Sequence, residues 1–302
     1  MLKIGVIGLG DIAQKAYLPV FAEKGETEFH LYTRNLSKLE TLAGKYRFPH
    51  VHSSLDELIA SGIKGAFVHS STESHYGIVL KLLEAGIHVY VDKPIAYEFE
   101  RARELTEIAE AKGLILMTGF NRRYAPVYKR LRELKEPNMV IMQKNRRSLP
   151  GEIRTFIFDD FIHVVDTLKF LFPYAVKRVN VTGKKNGAFL NQLVLQLIAE
   201  EGTAIGIMNR DSGVVEEKVE VYHPSEKRIA INVSELLIQK DREETRLGGS
   251  DWEPTLRKRG FEQIIFDFLQ AVNTGGAPFI SARESLETHE LCEKIVKEME
   301  RL

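Results

Sequence analysis

One cysteine and one tryptophan in 302 residues set the first limits. Cys292 has no second cysteine to pair with, so the chain makes no internal disulfide, and a reducing cytoplasm fits. Net charge is absent too. Forty-two Lys and Arg balance 42 Asp and Glu, which gives no reason to expect nucleic acid or an anionic membrane surface as partner. No apolar run approaches the ~20 residues of a bilayer-spanning helix. The first apolar run starts at Leu2, which is expected to leave no room for a signal or transit peptide. Internal repeats and low-complexity tracts are also missing.

What is present is an ordinary globular composition, 44% apolar and 28% charged, with a length that favours two domains. Up to about Gly119, short β-branched runs alternate with helical stretches. Strands are expected near Lys3–Ile7, Glu28–Thr33, Val51–His52, Lys64–His69, His88–Val91 and Leu114–Thr118. Helices are expected near Ile12–Lys24, Ser37–Tyr46, Leu55–Ala60, Ser74–Ala85 and Phe99–Lys112. Such βαβ units build a doubly wound parallel sheet. Ser54 with Glu57 forms a capping box, and Pro19 should kink or restart the first helix.

Beyond residue 119 the texture changes. After a helix (Ala125–Lys135), a strand (Met139–Lys144), an irregular stretch (Asn145–Gly151) and a helix (Phe161–Phe172) come six strand-like runs. They are Val176–Gly183, Leu190–Ala199, Thr203–Met208, Val215–Tyr222, Lys227–Asn232 and Leu236–Gln239. Strands in succession without helices between them argue for an open, mainly antiparallel sheet. Helices Gly260–Thr274 and Ala282–Leu302 close the chain, the second with a Ser281/Glu284 capping box. The expected division is an α/β Rossmann domain over 1–119 and an α+β domain over 120–302.

Gly8-Leu9-Gly10-Asp11-Ile12-Ala13 follows the first strand and opens the first helix, the context a dinucleotide fingerprint requires. Gly8 permits the turn, Gly10 lets a pyrophosphate approach the backbone, and Ala13 lets helix and strand pack closely. An NAD-preferring site carries an acid at the end of the second strand, about 20 residues on. Here that place reads Thr33-Arg34-Asn35, and Lys38 follows one turn later. A hydroxyl and two cations suit a 2′-phosphate, so NADP(H) is expected over NAD(H), with NAD(H) still possible. The bland alternative is a solvated turn in which Asn35 only caps the helix.

Two further clusters carry chemistry. Asp92-Lys93-Pro94 ends an apolar strand at the carboxyl edge of the sheet, where Lys93 could stabilise a developing alkoxide. Pro94 restricts Lys93 to extended conformations and admits a cis bond before it. In Asp159 to Asp166, helical spacing places Asp159, His163 and Asp166 on one face. A carboxylate beside an imidazole suits a general base near neutral pH. Equally, Asp159 or Asp160 could cap the helix over a half-buried His163. With distant His75 these residues do not make a metal ligand set, so no metal is expected.

Taken together, these elements resemble the Gfo/Idh/MocA oxidoreductases (glucose–fructose oxidoreductase, inositol dehydrogenase and rhizopine catabolism). The likeness also runs through Ser70–His75, Ala85–Val89 and Gly119–Pro126. The tail, Asp251–Pro254 with Arg259-Gly260-Phe261, resembles the MviM branch. The resemblance implies hydride transfer between nicotinamide and a secondary alcohol or ketone of a sugar, polyol or cyclitol. It also implies a homodimer or homotetramer built through the C-terminal sheet. By position it makes Lys93 the catalytic lysine, His163 the acid/base and Asp159 its partner. It assigns cofactor contacts to Gly8, Gly10, Asp11, Ile12, Thr33, Arg34, Asn35, Lys38, Ser70, Thr72, His75, Asp92, Lys93, Asn121 and Arg122.

Two departures stand out. Asp92 replaces the usual Glu, and Phe161 stands where a glycine is common and would crowd the helix start or fill part of the pocket. A catalytically silent NADP(H)-binding sensor acting through a protein partner would share this fold. The presence of Lys93, Asp159 and His163 speaks against it. A methyltransferase would also use a glycine-rich turn, but the missing acid after the second strand disfavours one. Arg122, Arg123, Lys144, Arg146 and Arg147 raise the idea of an anionic substrate, against the plainer reading of solvated charge or cofactor-phosphate contacts. Trp252 could stack on a sugar or anchor a loop.

Overall fold

The computed structural model describes residues 1–248 and 252–301. Asp251 of the tail motif and Leu302, the expected end of the last helix, lie outside the described residues. Two compact units emerge, one of residues 1–119 with 261–287, the other of residues 120–260 with 288 onward.

In the first unit, β1 (Leu2–Ile7), β2 (Thr27–Tyr32), β3 (His50–His52), β4 (Gly65–Val68), β5 (His88–Val91) and β6 (Leu116–Thr118) form one sheet. The order is β3-β2-β1-β4-β5-β6, and every neighbouring pair is parallel. The direction of winding reverses between β1 and β4, and ligands of such sheets bind beyond the carboxyl ends at that point. One face is closed by Val79, Leu82, Leu83 and Leu105 from two helices against Val68 and Val89. On the other, Phe268 of helix Phe261–Thr274 meets Phe67 edge-on, with ring centroids 4.9 Å apart. That aromatic contact explains why residues 261–287, expected in the second domain, fold with the first.

Pro19 acts as expected. A π-helical segment, Ala13–Tyr17, gives way to an α-helical restart at Leu18, with Pro19 in the first turn where no N–H is needed. Ser54 caps its helix by accepting from the Glu57 N–H, but the Glu57 carboxylate returns to the N–H of Ser53, one residue earlier than the box predicts. Ser281 and Glu284 form the reciprocal box.

The second unit holds β7 (Met139–Asn145), β8 (Gly151–Glu152), β9 (Arg178–Asn186), β10 (Phe189–Ile198), β11 (Thr203–Asn209), β12 (Glu216–His223), β13 (Glu226–Ile231), β14 (Glu235–Lys240) and β15 (Glu243–Gly248). The sheet runs β15-β14-β13-β12-β7-β11-β10, with β8 and β9 both paired to β10. All pairs are antiparallel except β7 with β11. Burial alternates along β10 and β11, so Leu193, Leu195, Leu197 and Met208 face a core while Val194, Ile205 and Ile207 are half-buried on the other side.

The helix expected from Phe161 begins earlier. It runs Ile153–Phe156 as α-helix, Ile157–Phe161 as π-helix and Ile162–Leu171 as α-helix again. Phe156, Ile157 and Phe158 are buried, which extends the apolar anchor of this helix N-terminally. A Cβ on Gly206 would stand 2.7 Å from Val164 and 3.6 Å from the Phe161 ring. Phe161 is therefore core, packed on the sheet floor where a glycine makes room for it.

Candidate functional site

Each unit contributes its own set of residues. In the first, a cleft lies beyond the carboxyl ends of β1, β2 and β4, lined by Gly8, Gly10, Thr33, Arg34, Asn35, Lys38 and Ser70 among the expected residues. Gly8 is obligatory here. It has φ +86°, and a Cβ would come within 2.5 Å of the Ser70 backbone nitrogen. Gly10 is different, for a Cβ there would touch only the His69 carbonyl oxygen at 3.9 Å. The space above it is what a bound pyrophosphate needs, and Arg34, Lys38 and Thr33 supply cations and a hydroxyl at the same cleft. These residues fit a phosphorylated dinucleotide.

Asn35 does cap its helix, its Oδ1 accepting the Lys38 N–H at 2.9 Å, while also lining the cleft. Asp11 is exposed and paired with Lys15 at 2.8 Å. Thr72 opens the helix Thr72–Glu84, while Ser71 and Ser74 of the same motif line the cleft. Tyr32 and His69 line it as well, and neither carried a signal beyond its place at a strand end. His75 is buried, with Nδ1 2.8 Å from the Pro94 carbonyl oxygen and Nε2 3.0 Å from that of Ser70. It joins the Ser70 loop to the loop that carries Lys93.

Lys93 is half-buried, and the Lys93–Pro94 bond is cis. Its neighbour Asp92 accepts from His69 Nδ1 at 3.0 Å and from the Tyr17 hydroxyl at 3.2 Å. Burial opposes ionisation of Asp92, but His69, Lys93 and His75 together outweigh it and hold the carboxyl below its ordinary value. Burial, reinforced by Asp92, pushes Tyr17 and Tyr90 well above the usual phenol range. A Cβ on Gly119 would stand 2.9 Å from Asp92 Oδ1, so the shorter acid sits tight against the backbone there.

In the second unit, Asp159 is half-buried in the π-helical segment, and His163 is buried one turn later. Asp166, read with them as one face, is engaged elsewhere. Arg123 Nη2 donates to Asp166 Oδ1 at 2.7 Å, and Arg123 Nε reaches both carboxylate oxygens at 3.1 Å. Asp160 is gripped by Lys144 at 2.6 Å and by the Arg146 fork at 2.8 and 3.0 Å. Burial takes the Lys144 ammonium down to about 7, and these cations hold Asp160 far below the usual carboxylate range against its own burial.

Asn121 Nδ2 donates to the Arg259 carbonyl oxygen at 2.8 Å. Arg122 Nε and Nη2 donate to the two Glu217 oxygens at 2.6 and 2.7 Å, and the Tyr128 hydroxyl adds a third bond at 2.5 Å. Burial works against the Glu217 charge, but Arg122 prevails and brings the carboxyl to about 2. Arg122, Arg123, Lys144 and Arg146, four of the five cations considered for an anionic substrate, thus hold carboxylates of this same unit. Trp252 is 93% exposed. Among the described residues, no helix is long and apolar enough to cross a membrane.

Residues 2–120 match the model of an oxidoreductase family with an NAD-binding Rossmann fold. The chain is 42% identical over 174 residues to a putative oxidoreductase, YceM, of Salmonella typhimurium, covering 56% of each chain. It is 32% identical over 198 residues to D-glucoside 3-dehydrogenase of Escherichia coli, covering 59% of this chain and 56% of the relative. The chain thus spans little more than half the length of these curated relatives. Solved structures match more fully. A Gfo/Idh/MocA family oxidoreductase from Vibrio cholerae superposes with a TM-score of 0.94 at 32% identity, covering 100% of this chain and 99% of that one. A dehydrogenase (MviM) from Clostridium difficile gives the same score and identity over 98% and 99%. With this identity sustained over whole chains, and with the glycine turn, the Lys-Pro element and the Asp/His helix all in place, the chain belongs to the Gfo/Idh/MocA oxidoreductase family.

Proposed function

We propose that this protein is a cytoplasmic, NADP(H)-preferring dehydrogenase acting on a secondary alcohol or ketone of a sugar, polyol or cyclitol. One observation carries the cofactor choice: Arg34 and Lys38 line the same cleft as the Gly8–Gly10 turn, with no acid at the end of β2. A bound nicotinamide supplies hydride acceptance or donation. Gly8, Gly10 and Ser70 hold the dinucleotide backbone, and Thr33, Arg34 and Lys38 bind its 2′-phosphate.

Lys93 donates to the substrate oxygen and stabilises negative charge on it as the C–H bond breaks. His163 takes the hydroxyl proton during oxidation and returns it during reduction, and Asp159 orients the imidazole. The name of the D-glucoside 3-dehydrogenase relative supports a sugar-class substrate. The half-buried side of the second sheet pairs with a second copy of the chain. Its register sets Ile205 beside Ile141 and Ile207 beside Val194, an apolar patch suited to such packing.

Titration of the folded protein with NADPH and NADH, followed by fluorescence, tests the reading. Tighter NADPH binding, followed by NADP-dependent turnover of sugars or polyols, is the expected result. Preference for NADH overturns the cofactor choice, and binding of neither overturns the dehydrogenase. Sedimentation of the purified chain as a monomer would remove the sheet-to-sheet dimer.

A further inference from the structure

At the edge of the parallel sheet, β2 and β3 place four ionisable side chains on one face. His30 pairs in register with His50, and Tyr32 with His52. Alternation along β2 brings Glu28 to the same side as His30. Ligand atoms of Glu28, His30 and His50 all lie within 4.8 Å of one another. His30 Nε2 is 2.7 Å and His50 Nε2 3.6 Å from a single oxygen, Glu28 Oε1. From the spacing of Glu28, His30 and His50 at the β2–β3 edge, we infer a binding site for one divalent transition-metal ion, with zinc as the fitting case.

The donor set is two imidazoles and one carboxylate, which leaves a fourth, tetrahedral position to water. Donor atoms around a tetrahedral zinc stand roughly 3.3 Å apart, close to the two separations from Glu28 Oε1. The His30 and His50 rings lie stacked, with centroids 4.5 Å apart and 11° between planes, so one ring must turn for both to share an ion. His50 is free to do so, since its side chain is 41% exposed, whereas His30 is 4% exposed and fixed. Lys3 Nζ, 3.7 Å from Glu28 Oε1 and itself half-exposed, is the resident cation that the metal displaces.

Support behind the ligands follows the pattern of histidine metal sites. His30 Nδ1 is 2.8 Å from His52 Nε2, and His52 Nδ1 is 3.5 Å from Glu57 Oε1. Bound through Nε2, His30 carries its proton on Nδ1 and donates it to His52, whose own N–H faces a carboxylate. The His30–His52 hydrogen bond fixes the His30 tautomer and ring orientation. Occupancy would pin the three-residue edge strand β3 to β2. The expectation of no metal concerns Asp159, His163 and His75, whereas the inferred ion lies at the β2–β3 edge.

The test uses untagged, chelator-treated full-length protein titrated with zinc by calorimetry and with cobalt(II) by visible absorption. Expected are one zinc per chain, a tetrahedral cobalt spectrum and a higher Tm with zinc. Exposed His50 can be replaced without disturbing the core, so His50→Ala should fold and lose all three signals. His52→Ala should weaken binding by about 10–100-fold, and His223→Ala on the second sheet should change nothing. No zinc binding by the wild type, or equal binding by His50→Ala, overturns the site.

Discussion

Arg122 and Glu217 meet as a buried fork, two N–H groups on two carboxylate oxygens at 2.6 and 2.7 Å, joining the start of the second unit to the middle of its sheet. The fork is a pH-dependent part of the fold. Unfolded, Glu217 keeps the ordinary carboxyl value of 4.5, whereas in the fold Arg122 brings it to about 2, so the folded state binds fewer protons between those values. Its contribution is complete above the unfolded value and fades as pH falls toward the folded one. Urea denaturation from pH 7 to 2 should show this loss, and Glu217→Gln should flatten that part of the curve while costing about 3–5 kcal/mol at neutral pH. An unchanged acid limb in the variant would show that Glu217 is not the group responsible.

Arg34→Ala should reduce NADPH affinity by roughly 10- to 100-fold, the loss of one or two charge-assisted hydrogen bonds. NADH affinity should move little, because no phosphate is present to lose its partner. Equal weakening of both nucleotides would point to a general electrostatic role.

His163→Asn and Lys93→Met should each lower single-turnover hydride transfer by about 10²–10⁴-fold, with nucleotide affinity nearly kept in the first. Hydride transfer at the wild-type rate in His163→Asn would leave the proton without its proposed acceptor.

His75 bonds the backbone of its own unit at Ser70 and Pro94. Its replacement by Ala should lower stability by about 1–3 kcal/mol through lost buried hydrogen bonds. It should also weaken cofactor binding through the Ser70 loop. A thermal melt beside an NADPH titration separates the two effects, and a Tm loss with unchanged affinity would limit His75 to the fold.

Much of the first unit was readable because its signals are local. The glycine turn, the strand–helix alternation and the Pro19 restart depend on residues within one turn of each other. The acids of the second unit were harder. Spacing put Asp166 beside His163, yet its partner Arg123 comes from a distant segment, and Asp160 finds its partners in Lys144 of β7 and Arg146 just past it. Helical periodicity says which residues share a face, not which neighbour reaches that face. The π-helical segment at Ile157–Phe161 was unreadable for a similar reason, since its apolar residues suit either helix type. The parallel pairing of β7 with β11 was also hidden, because a period of two does not encode strand direction. The Glu28, His30 and His50 group was open to view as alternating residues, but only the register of β2 with β3 brings it together.

The nine-stranded sheet ends on β15, whose six residues are all exposed. An open row of backbone donors and acceptors is a template on which a second chain can add a strand and polymerise. Glu243, Glu244 and Arg246 place charge along that row, and an incoming strand would have to strip water from all three. The charge on β15 therefore opposes edge-to-edge growth of the sheet from one molecule to the next.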